Sequence, residues 1–332
     1  MASIVEVTRG GVVESHHVVH VAVAHATRGV ILAAGDRENV SFVRSAIKMF
    51  QALPLVEDGV AATFGFTPME LALSTASHNG EPHHVEAARS MLGKAGATEL
   101  DLACGPHAPM YEPAADALKA EGRVPTRLHN NCSGKHAGML ASSRFHEWPT
   151  AGYHELTHPV QQRILQTLAA WSGVQREAII TAVDGCGLPT YSLPLTRVAV
   201  ACARFAAAAA EGGPAATLVG AMTGHPDFVA GTGRLCTLLM RQTRGRLFAK
   251  VGAEGYYCAG IPEQRLGLAL KVDDGARRAS EPALLAVLHM LDALSDDDFV
   301  ALHDFARPQV LNTRGEVVGD LRVRIDLTPV ST

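Results

Sequence analysis

The hydrophobic period of this 332-residue chain changes twice, and that change limits its fold more than any other feature. From Ile4 to Ala34 apolar residues alternate with polar ones or form short β-branched runs, broken at Gly10-Gly11 and Gly35-Asp36. This is the pattern of strands joined by tight turns. From about Ser45 the period becomes helical, with helices expected over Glu70 to Ser77, Pro82 to Leu92, His136 to Phe145, Pro159 to Trp171, Thr196 to Ala210 and Ala215 to Met222. Strands return at Leu247 to Val251, Tyr256 to Ile261 and Leu266 to Val272, followed by a helix, Pro282 to Leu294, and a closing strand, Leu321 to Leu327. Strands at both ends with helices between them predict an α/β (α+β) fold. One mainly antiparallel sheet is assembled from about residues 1–42 and 245–332, with a helical lobe, about 43–244, inserted into a single catalytic domain.

Bulk properties narrow the function classes. With 29 basic and 33 acidic residues the net charge is -4, and the charges are spread along the chain. That gives no electrostatic footprint for nucleic acid or an anionic membrane, so a small molecule is the expected partner. No uncharged run has the length of a membrane-spanning helix, and no basic region precedes an apolar stretch near Met1, so neither a membrane segment nor a secretory signal is expected. The six cysteines are scattered through a long chain, which predicts reduced thiols in a cytoplasmic protein.

Chemistry is offered first by Ser45-Ala46-Ile47-Lys48. On a helix, residues three apart are neighbours, so an uncharged Lys48 amine can take the proton of the Ser45 hydroxyl. A buried lysine is required for that, because its pKa must fall. A serine and lysine at this spacing also occur on solvated helices, but here they stand at a strand-to-helix junction ahead of apolar Met49 and Phe50. Two further segments follow in the order used by serine hydrolases of the penicillin-recognising type: Ser77-His78-Asn79 and Lys250-Val251-Gly252. Ser77 also suits a helix-ending turn. Lys94-Ala95-Gly96 competes with Lys250, which is preferred because it lies on an apolar strand.

A second cluster is Asn130 to His136 with Cys186 in the Gly-rich loop Asp184 to Pro189. Cys132, Cys186 and a nitrogen of Lys135 or His136 can make three zinc ligands with one position open, while buried structural cysteines are the plainer alternative. His83 and His84 suit either a cleft near Ser77 or an exposed first helical turn. The histidines at 16, 17, 20 and 25 read as surface or packing residues.

These segments, together with Asn131 to His136, Asp184 to Gly187 and Lys250 to Gly255, resemble the rhizobial-type (class 3) L-asparaginases, over nearly the whole chain. The resemblance implies a fold like that of serine beta-lactamases and glutaminases, a homodimer, and hydrolysis of L-asparagine to L-aspartate and ammonia. By position it makes Ser45 the nucleophile, Lys48 its base, and Ser77 and Lys250 a supporting pair. It assigns Cys132, Lys135 and Cys186 to zinc beside the substrate, and Arg44, His136 and Asp184 to substrate binding. The Lys-Val-Gly stretch lacks the threonine of the penicillin-recognising pattern, which argues against beta-lactam turnover. Alternatives are a serine glutaminase or other amide hydrolase of the same fold, or a non-catalytic zinc or thiol sensor.

Overall fold

The computed structural model describes residues 3–330. In chain order its strands are β1 (Ile4–Arg9), β2 (Val12–His25), β3 (Gly29–Ala34), β4 (Val40–Phe42), β5 (Ile180–Val183) and β6 (Pro189–Pro194). Then come β7 (Phe248–Val251), β8 (Tyr256–Ile261), β9 (Leu266–Val272), β10 (Gln309–Leu311), β11 (Val317–Arg324) and β12 (Thr328–Pro329). Two compact units emerge. One comprises residues 1–46, 193–210 and 238–332, and the other 47–192 and 211–237.

The first unit holds an antiparallel sheet of order β10-β11-β1-β2-β9-β8-β7, with β3 lying between β2 and β12. The ends of the chain meet directly, since Ile4 pairs with Arg324 and Val7 with Leu321. Strand β2 is long enough to serve two neighbours in turn along one edge. It pairs there with β1 as far as Val18 and with β3 from Val21 onward, while β9 takes the other edge from Val19 to His25. Strands β7, β8 and β9 are buried at every position, as expected for near-continuous apolar runs covered on both faces.

The helix Leu195–Glu211, expected in the helical lobe, packs on this sheet. Glycine makes this possible: a Cβ at Gly267 would sit 2.1 Å from the Ala203 amide nitrogen and 2.4 Å from the Ala199 carbonyl oxygen. The strand backbone therefore touches the helix backbone across an alanine-lined face. The helix Arg277–Met290 packs on β8 and β9, beginning five residues before the expected Pro282, which lies inside it. The closing strand ends at Arg324 rather than Leu327. His17, expected to be a surface or packing residue, also has ionic company, with Nδ1 2.5 Å from Asp274 and Nε2 accepting from Arg278 at 2.9 Å.

The second unit is helical apart from the β5–β6 hairpin. Its helix Pro68–Ser74 is started by a reciprocal cap in which Thr67 and Glu70 each accept the other's backbone N–H. Glu70 is 3% exposed and is also held by Lys94 at 2.6 Å, so Lys94 serves structure. The helix Ser133–Phe145 runs close to Leu73 of Pro68–Ser74, because Gly134 has no side chain: a Cβ there would meet the Leu73 carbonyl oxygen at 2.5 Å. That close approach sets the spacing of the candidate site. All six cysteines are buried and outside any disulfide, and no helix among the described residues is long and apolar enough to cross a membrane.

Candidate active site

Lys48 opens the helix Lys48–Ala52 and is fully buried. Its Nζ donates to the Ala76 carbonyl, to Ser77 Oγ at 3.1 Å and to Cys132 Sγ at 3.1 Å. Burial pulls its pKa down and Lys135 adds to the fall, outweighing the opposing pull of Cys132 and Cys186. The shift is toward the uncharged amine that proton abstraction requires, which can donate two of these three hydrogen bonds and keeps one lone pair.

Ser77 was expected to end a helix, but Pro68–Ser74 stops three residues earlier and Ser77 lies outside any helix or strand. The reason is tertiary: its N–H donates to Val229 O at 3.0 Å, and the next N–H, of His78, to Asn131 O at 3.1 Å. His78 had no role in the sequence reading. It is wholly buried, its Nδ1 accepts the Gly80 N–H at 3.1 Å, and its Nε2 lies 2.9 Å from Ser133 Oγ. Ser133 Oγ donates to Leu128 O, so the imidazole donates from Nε2 and clips the Ser77 segment to the first turn of Ser133–Phe145. Burial, then His84 and Lys48, push its pKa well below the usual histidine range and keep it neutral.

That first turn carries Cys132, Lys135 and His136, which share a face at helical spacing. The hydrogen bond from Cys186 holds Cys132 far below the ordinary thiol range, helped by Lys48 and Lys135 against burial. The same pairing, with burial, pushes Cys186 up. Burial lowers the Lys135 pKa, yet Cys186, Cys132 and Asp184 outweigh it and raise the group above the usual lysine range. Cys186 and Asp184 sit in the β5–β6 turn, closed by Gly187 donating to Asp184 O at 2.9 Å. His136 is fully buried and lies 2.6 Å from Tyr153 Oη through Nδ1. Tyr153, absent from the sequence reading, left no signal there beyond being one of five tyrosines.

The residues Cys132, Lys135 and Cys186 fit a zinc ion. Lys135 Nζ is 3.7 Å from Cys186 Sγ. Two ligands at about 2.1 and 2.3 Å from a tetrahedral zinc lie about 3.6 Å apart. Glu81, His83 and His84 also bring ligand atoms within 4.8 Å of one another. Two of the three have lone pairs engaged elsewhere, however: Glu81 accepts from Thr232 and Asn79, while His84 accepts from the Glu81 N–H and donates to Asp227 O. His84 is therefore a buried capping residue, not an exposed one, and burial takes its pKa down to about 4.

The sheet unit holds the remaining expected residues. Ser45 and Arg44 lie in a short 3-10 turn, Arg44–Ile47, where Arg44 adopts a φ of 49°. Gly252, after β7, makes room for that turn, since a Cβ there would sit 2.9 Å from Val43 O and 3.2 Å from Ala46 Cβ. Lys250 is fully buried on β7, opposite Cys258, and its Nζ donates to Val251 O at 2.9 Å. Cys258 Sγ in turn donates to Ala46 O at 2.7 Å, tying β8 to the residue after Ser45.

A family model described as L-asparaginase II matches residues 5–323. Among solved structures, one titled Mglu in its native form in the presence of 4.3 M NaCl is 16% identical over 83% of this chain, at a TM-score of 0.36. This chain spans 61% of that structure's length. The octameric penicillin-binding protein homologue from Pyrococcus abyssi is 14% identical, covering 94% of this chain and 85% of its own, also at a TM-score of 0.36. No curated protein matches.

Proposed function

This chain belongs to the L-asparaginase II family, and from that premise we propose that it hydrolyses L-asparagine to L-aspartate and ammonia through an ester on Ser45. The observation that carries the reading is the buried Lys48 amine, depressed in pKa, hydrogen-bonded to Ser77 and three residues beyond a half-buried serine. In the first half-reaction Ser45 Oγ attacks the side-chain amide carbon while Lys48 takes its proton. The C–N bond then breaks and the proton goes to the departing ammonia. In the second, water attacks the β-aspartyl ester, gives its proton to Lys48, and releases aspartate as the proton returns to Ser45 Oγ.

Ser77 and Lys250 support this chemistry, Ser77 by accepting from Lys48 and so orienting its remaining lone pair. Arg44 and Asp184 offer opposite charges for the carboxylate and ammonium of an amino acid, and His136 a third polar contact. Zinc would be held by Cys132, Lys135 and Cys186, where it supplies a Lewis-acidic centre that orients the substrate. The homodimer implied by the resemblance is part of the proposal and is tested by sedimentation.

Ammonia release by purified Ser45→Ala protein tests the nucleophile. A fall of at least about a thousandfold is expected from loss of covalent catalysis, and wild-type turnover by the variant would end the assignment. Parallel assays with asparagine, glutamine and nitrocefin set the substrate. One methylene is worth about 1 to 3 kcal/mol in a pocket, so glutamine is expected to turn over slowly and nitrocefin not at all.

A further inference from the structure

The hydrogen bonds around His136 fix which of its ring nitrogens carries the proton. Tyr153 Oη accepts the Ala103 N–H at 2.8 Å, so its own proton needs an acceptor. His136 Nδ1 stands 2.6 Å away. The phenol therefore donates to Nδ1, and the neutral ring bears its single proton on Nε2. That N–H is buried and, among the described residues, has no hydrogen-bond partner. Leaving a buried donor unpaired is costly, so its persistence calls for a ligand.

The ligand's place follows from the helix. His136 lies one residue beyond Lys135 and one turn beyond Cys132. Tyr153 is itself held firmly, 1% exposed and with its carbonyl accepting from Gln161 Nε2 at 2.8 Å. The histidine is thus preset before any substrate arrives.

We propose that Tyr153 is a positioning residue that holds His136 as the Nε2–H tautomer, so that the imidazole donates a hydrogen bond to an oxygen of the bound amino acid. The inference rests on the asparaginase reading and adds a selectivity rule. An oxygen at that point of the ligand is accepted, whereas an N–H group there would set donor against donor. The contact exists in the bound ground state, so it acts on affinity more than on the chemical step.

Tyr153→Phe deletes the phenolic donor and frees the ring to change tautomer. In the full-length chain we expect KM for asparagine to rise about fivefold to tenfold with kcat within about twofold, a change of the size one neutral hydrogen bond supplies. Asparagine binding to Ser45→Ala protein should weaken by the same factor when Tyr153→Phe is added. His136→Gln keeps a side-chain N–H donor that needs no tyrosine, and in that background Tyr153→Phe should change KM by less than about twofold. Nitrogen-15 spectra of the wild-type imidazole should show Nε2–H. An Nδ1–H ring, or an equal effect of Tyr153→Phe in both backgrounds, overturns the proposal. If the wild-type chain releases no ammonia from asparagine, the functional reading falls instead, and the tautomer spectrum alone decides the role of Tyr153.

Discussion

Replacing Lys48 by methionine separates chemistry from folding. The side chain is fully buried and its amine makes three hydrogen bonds, to Ala76 O, Ser77 Oγ and Cys132 Sγ. Losing them costs about 3 kcal/mol at about 1 kcal/mol each. Methionine nearly fills the same volume and adds apolar packing in a buried site, which offsets part of that loss. The two changes oppose each other, so stability in urea should move by no more than about 2 kcal/mol. Catalysis has no such offset. A positioned general base contributes about 10²- to 10⁴-fold, or about 2.7 to 5.4 kcal/mol of barrier. We therefore expect Lys48→Met to fold with an unchanged near-UV spectrum and to release ammonia at least about a hundredfold more slowly. Turnover within tenfold of wild type, in a folded variant, would refute the role given to this amine.

Zinc removal by a chelator should lower asparagine affinity more than the maximal rate, and Cys132→Ser should abolish stoichiometric zinc in the purified protein; metal analysis alongside KM and kcat checks both. Gly267→Ala should destabilise the fold by about 1 to 3 kcal/mol in urea, since the new methyl would overlap the backbone of Leu195–Glu211. At Glu70, burial raises the pKa but the hydrogen bonds from Lys94, Thr67 and Ser90 outweigh it and leave it depressed. A depressed carboxylate stabilises fully above its unfolded pKa of about 4.3 and loses that contribution as pH falls through the lower folded value. Glu70→Gln should accordingly cost about 1 to 2 kcal/mol at pH 7, with the gap to wild type closing below about pH 4 in urea titrations.

Local pattern carried much of the architecture. Strands β8 and β9 match their expected spans because apolar runs bounded by Gly-rich or charged turns have few other ways to satisfy their backbones. Helix starts were less legible: Ser133–Phe145 begins three residues before the expected His136, since Ser133 and Gly134 are weak helix formers held there by His78 and Leu73. Of the site, the residue types and their order could be read, and Lys48, Ser77, Cys132, Lys135 and Cys186 do lie together. His78 and Tyr153 could not be singled out, because a histidine or tyrosine acts as a clip only through partners distant in sequence, Ser133 and His136.

The sequence by itself determined which segments are strands and which helices, and where the reactive side chains stand along them, because periodicity and the chemistry of side chains are local properties. Tertiary structure alone decided their ionisation and pairing. The Lys48 amine is depressed because it is walled off from water, whereas Lys135 is raised because two sulfurs and a carboxylate lie near it. The two lysines have the same intrinsic pKa, so only their surroundings can set them apart.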